Sequence, residues 1–154
     1  MSDFETRFSS HKQDWATPDD LWLPLHKEFH FTLDAAAGAE NTKCKHFFTM
    51  ADNGLTKDWK RHKVWLNPPY GVPGNGSLQQ WVAKAWQSAQ AGATVVMLIP
   101  ARTNTNWFHD TCLTHGEVRF IRGRPKFSDA PHGLPQPLCV VIFRAVNQNA
   151  KERR

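Results

Sequence analysis

The sequence has few cysteines and no long hydrophobic run. Its three cysteines, Cys44, Cys112 and Cys139, are widely spaced and odd in number, which argues against a disulfide framework and suits a reducing cytoplasm. The longest apolar stretch, Val95 to Pro100, is far shorter than the ~20 residues that a membrane-spanning helix requires. Nothing in the sequence resembles a signal peptide, and no Cys-x-x-Cys pair is present. We therefore expect a cytoplasmic protein with no membrane segment and no metal site.

Internal repeats, low-complexity segments and linkers between domains are also missing. The 154 residues suffice for one sizeable core, and 40% hydrophobic with 21% charged residues is typical of a globular chain. We predict a single domain over residues 1–154, with flexible ends at 1–13 and 146–154. The 19 basic side chains exceed the 14 acidic ones, for a net charge of +5. This balance favours an anionic partner, although an ordinary basic protein has the same balance.

The chain does contain regular hydrophobic patterns bounded by helix and strand signals. Thr17 is the predicted N-cap of a first helix, with Pro18 at its first helical position. Ser77 and Gln80 form a capping box that opens a second helix, which runs to about Ala91. Strands are predicted to end near residue 34 and to cover 46–50, 63–67, 93–100, 117–122 and 138–144, with a short helix around 106–113.

The strand, helix and strand between residues 63 and 100 form a βαβ unit. This unit predicts an α/β fold with a largely parallel sheet. Ligands of such folds bind beyond the carboxyl ends of the strands. The segments that follow the predicted strands there contain small residues, acids and a proline pair, in the ranges 34–38, 49–52, 67–70 and 100–103. We expect these segments to meet at one edge of the sheet.

The sequence Asn67-Pro68-Pro69-Tyr70 directly follows a predicted strand. The two prolines fix their φ angles and donate no backbone hydrogen bond, so the segment is stiff. The side-chain carbonyl of Asn67 and the backbone carbonyl of Pro68 can accept both protons of one exocyclic amine. Tyr70 offers a ring on which a planar substrate can stack. The pattern favours a grip for a planar amine such as adenine, over a mere proline-stiffened turn.

Six sequence blocks in order and spacing resemble the small phage-type DNA N6-adenine methyltransferases. They cover the chain from about Trp15 to Phe143 and read WATPDDLW, FTLDAAAGAENTKC, FFTMADNGLTKDW, VWLNPPYG, LIPARTNTNWFH and FIRGRPKF. The resemblance implies a single-domain, Rossmann-like class I methyltransferase fold with a mostly parallel central sheet flanked by helices. It also implies site-specific transfer of methyl from S-adenosyl-L-methionine to N6 of a flipped adenine in double-stranded DNA, in a bacterial or phage-infected cell. The catalytic residues it implies are Asn67, Pro68, Pro69 and Tyr70.

The resemblance further implies a cofactor site beside the first strand. Ala35 and Ala36 let the cofactor approach the backbone, and the acids accept hydrogen bonds from its hydroxyl and adenine groups. The family's usual Gly-x-Gly is missing here because Gly38 stands alone, so Asp34 is alternatively a turn aspartate. The full set of expected cofactor-binding residues is Thr17, Pro18, Asp34, Ala35, Ala36, Asp52 and Asp58.

Basic residues near the end of the chain predict contacts with the DNA backbone. Arg122, Arg124 and Lys126 alternate, which places three cations on one side if the strand continues. Arg102 faces either DNA or the cofactor carboxylate, and we leave both roles open. The proline-stiffened residues 133–138, GLPQPL, are interpreted as a groove probe, which substitution of Gln136 would test. The expected DNA-binding residues are Arg102, Arg119, Arg122, Arg124 and Lys126.

Two alternatives to adenine methylation remain open from the sequence. The same grip can hold another planar amine, on cytosine N4, on RNA or on a protein glutamine. The missing Gly-x-Gly also leaves room for a DNA-binding module that has lost catalysis. Neither the oligomeric state nor the DNA recognition sequence is encoded in a pattern that we can interpret.

Overall fold

A computed structural model of the chain describes residues 17–38, 40–69, 74–123, 125 and 136–146. Regular elements in chain order alternate between strands and helical segments, which is the pattern expected of an α/β domain. They are α1 (Asp19–Phe29), β1 (Leu33–Asp34), β2 (His46–Phe47), a 3₁₀ turn (Gly54–Thr56), β3 (Lys63–Leu66), α2 (Leu78–Gln90), β4 (Thr94–Pro100), a π-helical segment (Phe108–Leu113), β5 (Glu117–Phe120) and β6 (Leu138–Phe143).

The six strands form one sheet in the order β2-β1-β3-β4-β6-β5. The four strands from β2 to β4 are parallel, whereas β6 runs antiparallel to β4 and β5 antiparallel to β6. The predicted α/β fold with a largely parallel sheet is confirmed, and the arrangement is compatible with a Rossmann-like domain. The carboxyl ends of β1, β2, β3 and β4 consequently lie along the same edge of the sheet.

Strand β4 is buried on both faces, as its continuous apolar sequence predicts. Its odd-numbered side chains from Val95 to Ile99 pack into a core with α2 and the π-helical segment. The alternate side chains, Val96 and Leu98, pack with α1 on the opposite face. The sheet is therefore the middle layer between helices. The carboxyl ends of β1 to β4 form one edge of this layer.

Helix α2 follows its local signals closely. Ser77 Oγ accepts a hydrogen bond from the Gln80 backbone N–H at 3.1 Å, and Gln80 Oε1 accepts one from the Ser77 N–H at 2.7 Å. Gly92, with φ of 110°, follows the helix end in a conformation that glycine adopts without strain. The predicted capping box is confirmed, and the predicted stripe of Leu78, Trp81, Val82, Ala85 and Ala89 is buried.

Helix α1 begins differently from the prediction. Pro18 occupies the N-cap with extended dihedrals, and no side chain caps the helix. Thr17 is buried, and its hydroxyl accepts a hydrogen bond from Asn67 Nδ2 at 3.4 Å. The prediction of Thr17 as N-cap was wrong because a tertiary contact takes the oxygen that a cap would use.

The end of β5 lies two residues before the predicted one. The strand stops at Phe120, and Gly123 adopts φ of 76°, so the chain turns there rather than extending. A continuous strand that presents alternating cations is therefore absent from the described part of this segment. Arg124 and Lys126 lie outside the described residues, as do residues 1–13 and 147–154. Within the described part of the chain, no helix has the length and apolar character needed to cross a membrane.

Candidate active site

Two loops meet at the carboxyl edge of the sheet, one after β1 and one after β3. The Ala35 N–H donates to the Trp65 carbonyl at 3.1 Å, and the Ala37 N–H donates to the Phe48 carbonyl at 2.9 Å. These bonds continue the parallel pairing beyond the strands, because the backbone groups just past a short strand still need partners. The segments after β1 and β2 therefore meet at the predicted edge of the sheet, beside β3. That the segment 100–103 joins them stays a prediction.

A cleft that is partly open to solvent lies at this edge. Its walls bring together Ala35 and Ala36 from the loop after β1 with Pro69 from the loop after β3. The remaining lining side chains come from the segment after β2 and from the start of α2. They are Thr49, Met50, Asn53, Gly54, Asn75 and Trp81.

Asn67 follows β3, is half-buried and is not among the residues that line the cleft. Its Nδ2 donates to the hydroxyl of the buried Thr17. The opposite end of the amide, Oδ1, is a hydrogen-bond acceptor. Pro68 and Pro69 are both buried and keep the adjoining backbone stiff. Tyr70 lies outside the described residues.

Asp34 is a buried carboxylate at the end of β1. Its Oδ2 accepts the Lys43 backbone N–H at 2.9 Å, and the Ala36 N–H bonds to it as well. Burial raises the pKa of the Asp34 carboxyl to about 6, while these N–H groups and the Lys43 charge act in the opposite direction. Asp34 is not among the residues that line the cleft. Its observed contacts are those of a turn aspartate that supports the loop carrying Ala35 and Ala36.

The other two predicted acids also hold turns. Asp52 is exposed, and its Oδ2 accepts from the Thr49 N–H at 2.9 Å and from the Thr49 hydroxyl at 3.1 Å. These bonds lower the pKa of Asp52. Asp58 is exposed and accepts the Lys60 N–H at 2.8 Å. Neither acid lines the cleft.

Gly54 is a cleft residue that sequence reasoning missed. A Cβ at this position would lie 2.2 Å from the Ala35 carbonyl oxygen, so only glycine fits beside the loop after β1. The preceding Asn53 has φ of 56°, and the Trp59 indole N–H donates to the Gly54 carbonyl at 2.9 Å. The Asn-Gly dipeptide was an available signal, because it marks a turn with positive φ.

Trp81 was predicted only as a core residue of α2, yet it also forms a wall of the cleft. Its indole N–H donates to the Asn75 carbonyl at 2.9 Å, and its ring stacks on Trp59 with centroids 6.2 Å apart. No sequence pattern distinguishes this tryptophan from one that only fills the core. Its second role depends on the packing of α2 against the segment after β2.

The predicted DNA-binding arginines differ in whether they form ion pairs with acidic residues of the domain. Arg102 and Arg122 are exposed, and Arg102 Nη2 donates to Gln136 Oε1 at 3.4 Å. Arg119, by contrast, makes a bidentate pair with Glu28 at 2.8 Å and also bonds to Glu117. These contacts lower the pKa of both carboxylates. Arg119 therefore has its charge compensated within the domain.

The family of this chain is shown by comparison of its sequence with known proteins. A family model described as DNA N-6-adenine-methyltransferase (Dam) matches residues 5–152. The chain belongs to this family. The resemblance seen in the sequence is confirmed, and with it the prediction of an adenine-specific DNA methyltransferase.

Two curated phage proteins illustrate the Dam-family relationship. The DNA N-6-adenine-methyltransferase of Haemophilus phage HP1 (strain HP1c1) is 37% identical over 144 residues, covering 85% of this chain and 79% of that protein. The DNA N-6-adenine-methyltransferase of Escherichia phage T1 is 34% identical over 109 residues, covering 70% of this chain but 44% of that protein. A putative methyltransferase, YfdM of Escherichia coli (strain K12), is 35% identical over 63 residues, covering 36% of this chain and 69% of that protein.

Membership of the Dam family implies a methyl donor and DNA as the substrate. The cleft has small residues, Ala35, Ala36 and Gly54, in its lining, together with Pro69 of the stiff Asn67-Pro68-Pro69 segment. Among the described residues, no cluster of three or more His, Cys, Asp or Glu side chains is arranged to hold a metal ion.

Proposed function

We propose that this Dam-family enzyme transfers methyl from S-adenosyl-L-methionine to N6 of an adenine flipped out of double-stranded DNA, at a specific site. The observation that carries the proposal is the orientation of Asn67. Because Thr17 engages its Nδ2, the amide turns its acceptor, Oδ1, away from that contact. An acceptor held in this way, next to a rigid proline pair, suits an exocyclic amine.

The chain's own contribution to the reaction is positioning. Asn67 Oδ1 and the Pro68 carbonyl oxygen accept the two N6 protons, which draws the nitrogen towards a tetrahedral shape and directs its lone pair. Bound S-adenosyl-L-methionine supplies an electrophilic methyl group on a sulfonium, for in-line attack by N6. Tyr70, which stays a prediction from the sequence, stacks on the base. No side chain needs to act as a base, since the methylated nitrogen is acidic and loses its proton to water.

The cleft residues fit a nucleoside-containing donor. Ala35, Ala36 and Gly54 present no side chain beyond Cβ, so a ligand can approach the backbone closely, and Trp81 supplies an aromatic wall. Thr17, Pro18 and Asp34 support this floor from behind in the proposed site. Asp52 and Asp58 are proposed to reach the donor's hydroxyl or adenine groups through the carboxylate oxygens that their turns leave free.

Arg102 and Arg122 are the described residues best suited to hold the DNA backbone, because they are exposed and make no ion pair with described residues. Arg124 and Lys126 are proposed to add to this surface. Arg119 is expected to contribute less, since two glutamates already compensate its charge. Phosphate contacts of this kind hold the duplex while the adenine is flipped, at a cost of a few kcal/mol.

The proposal is tested by transfer of labelled methyl from S-adenosyl-L-methionine to unmethylated double-stranded DNA, followed by nucleoside identification. Label in N6-methyladenine supports the proposal, and label at cytosine N4 would replace the acceptor. No transfer to DNA despite cofactor binding would redirect the search to RNA or protein glutamine. No cofactor binding by calorimetry would favour a non-catalytic DNA-binding module.

The proposed reaction also suggests where the enzyme works. The three cysteines are free thiols, and such thiols persist in a reducing compartment. We infer that the enzyme acts in the cytoplasm of a bacterial or phage-infected cell, where its DNA substrate is present.

A further inference from the structure

Lys43 carries its charge in a largely buried position between α1 and the loop after β1. Its side chain is 15% exposed, and Nζ donates to the Thr17 carbonyl at 2.9 Å. Its one salt bridge with a described residue is to Asp19 Oδ1, at 3.5 Å and on a side chain that is 76% exposed, and its charge also lowers the pKa of the buried Asp34. The ammonium also lies 5.4 Å from the centroid of the Trp22 ring. Taking most of an ammonium group out of water costs free energy that its contacts must offset, and these contacts all lie beside the site, so a role beyond packing is indicated.

The backbone of the same residue contacts a second part of the site. The Lys43 N–H donates to Asp34 Oδ2 at 2.9 Å, which supports the turn that carries Ala35 and Ala36. Lys43 therefore joins the segment before α1 to the loop after β1. These two segments precede and follow the first helix in the chain, so the contact joins residues 26 positions apart.

Thr17 extends this connection to the acceptor site. Its carbonyl oxygen receives the Lys43 ammonium, while its hydroxyl receives Asn67 Nδ2 at 3.4 Å. The two bonds act on one buried residue. A displacement of the Thr17 backbone thus moves the hydroxyl that orients the Asn67 amide.

We propose that Lys43 is a positioning residue for methyl transfer, acting through Thr17 on the orientation of Asn67. It is not among the residues that line the cleft. Its ammonium holds the Thr17 carbonyl, and the Thr17 hydroxyl in turn holds the Asn67 amide with Oδ1 as the acceptor for the amine. The proposal rests on the proposed role of Asn67 as the amine acceptor.

The first test compares Lys43→Met with Lys45→Met. Methionine keeps most of the aliphatic stem but removes the charge and the donor, whereas Lys45 is exposed and makes no ion pair with described residues. We expect Lys43→Met to lower kcat by up to about tenfold, the loss expected when the Thr17 hydroxyl itself is removed, with the KM for S-adenosyl-L-methionine changed by less than about threefold. Lys45→Met should leave kcat unchanged. An unchanged kcat in Lys43→Met, or a loss confined to the cofactor KM, would overturn the proposal.

A double-mutant cycle with Thr17→Val separates positioning from general damage. Valine removes the hydroxyl that Asn67 uses while keeping the shape of the side chain. If Lys43 acts through this hydroxyl, the change Lys43→Met should lower kcat far less in the Thr17→Val background than in the native enzyme. Multiplicative losses in the double variant would show that the two residues act independently, against the proposal.

A measurement that needs no acceptor distinguishes this proposal from the proposed function. The side-chain amide resonances of Asn67, assigned with Asn67→Ala in ¹⁵N spectra, should shift in Lys43→Met and in Thr17→Val but not in Lys45→Met. Shifts without methylation of DNA by the native enzyme would leave the positioning role in place and reject the acceptor. Unshifted resonances would reject the positioning role whatever the substrate. Should Lys43→Met fail to fold, Lys43→Gln removes the charge with a smaller change in polarity and is read in the same way.

Discussion

Helices α1 and α2 are both preceded by a hydroxyl residue, but they use it differently. Ser77 caps α2 and bonds to Gln80, three residues along the chain. Thr17 leaves α1 without a side-chain cap and bonds instead to Asn67, which is far away in the sequence. Ser77 adopts the capping role that its position predicts, and Thr17 makes a tertiary contact instead. At the site, a hydroxyl that suits a cap is used to orient the residue that receives the amine.

The largest effect is expected from removing the partner that Thr17 orients. Asn67→Ala should lower kcat by about 10²- to 10³-fold, because one preorganised acceptor for the amine is lost. Gln87→Ala, on the exposed side of α2, is the matched control for loss of a side-chain amide. Steady-state methyl transfer, with the fold checked by circular dichroism, measures the difference. Normal turnover in Asn67→Ala would remove the reason for the unusual use of Thr17.

The second prediction concerns the raised pKa of the buried Asp34, which a stability measurement can test. Its pKa is raised by burial from 3.8 to about 6, so the folded protein binds this proton more tightly than the unfolded chain does. The contribution of Asp34 to the free energy of unfolding therefore falls as the pH rises from about 4 to about 6, by an amount on the order of 3 kcal/mol. Above that range the charged, buried carboxylate remains a cost.

Urea denaturation of the native protein and of Asp34→Asn between pH 4 and 7 isolates this contribution. The difference between the two is needed because Glu28, Glu117 and Asp52 have lowered pKa values and change stability in the opposite direction. We expect the advantage of Asp34→Asn to grow with pH and to level off above about pH 6. A difference that does not vary with pH would mean that Asp34 ionises normally.

Thr17→Val and Ser77→Ala compare the two hydroxyls directly. Ser77→Ala should lower the free energy of unfolding by about 1 kcal/mol through loss of the cap, with kcat unchanged. Thr17→Val should lower kcat by roughly tenfold, because the Asn67 amide is no longer held. Thermal or urea unfolding and methyl-transfer kinetics on both variants give the four values. If both variants lose stability and keep the native kcat, both hydroxyls have only a structural role, which would contradict the proposed role of Thr17 in orienting Asn67.

The smallest effect is expected from two arginines that look alike in the sequence. Arg122→Ala should weaken DNA binding and reduce the slope of log K against log salt concentration by about 1, since one phosphate contact is lost. Arg119→Ala should change this slope less, because Glu28 and Glu117 already pair with that side chain. Fluorescence anisotropy over a range of salt concentrations is the measurement. A larger change for Arg119→Ala would show that its ion pairs open when DNA binds.

Regions with strong local signals could be predicted well. The capping box at Ser77, the doubly buried strand β4 and the parallel edge after β1 and β3 were all found where the sequence indicated. The predicted strand ends were less accurate where a turn follows the strand. The end of β5 at Phe120 is an example, because Gly123 can take either conformation and the pattern of charges does not decide between them.

The candidate site was predicted in part. Ala35, Ala36 and Pro69 do line the cleft, but Gly54 and Trp81 were missed and Lys43 was not considered. Each missed residue owes its role to a neighbour elsewhere in the chain: Gly54 to the Ala35 carbonyl, Trp81 to Trp59, and Lys43 to Thr17.

The amino-acid sequence alone determined the elements, the family and the stiff Asn67-Pro68-Pro69 segment, because periodicity, capping and proline geometry act over a few residues. Tertiary structure alone decided what Thr17, Lys43 and Asp34 contact. Their partners depend on the order β2-β1-β3-β4, which brings distant loops to one edge. Hydrogen-bonding groups buried there must take whichever partners that order supplies, since leaving them unpaired costs more than giving up a helix cap.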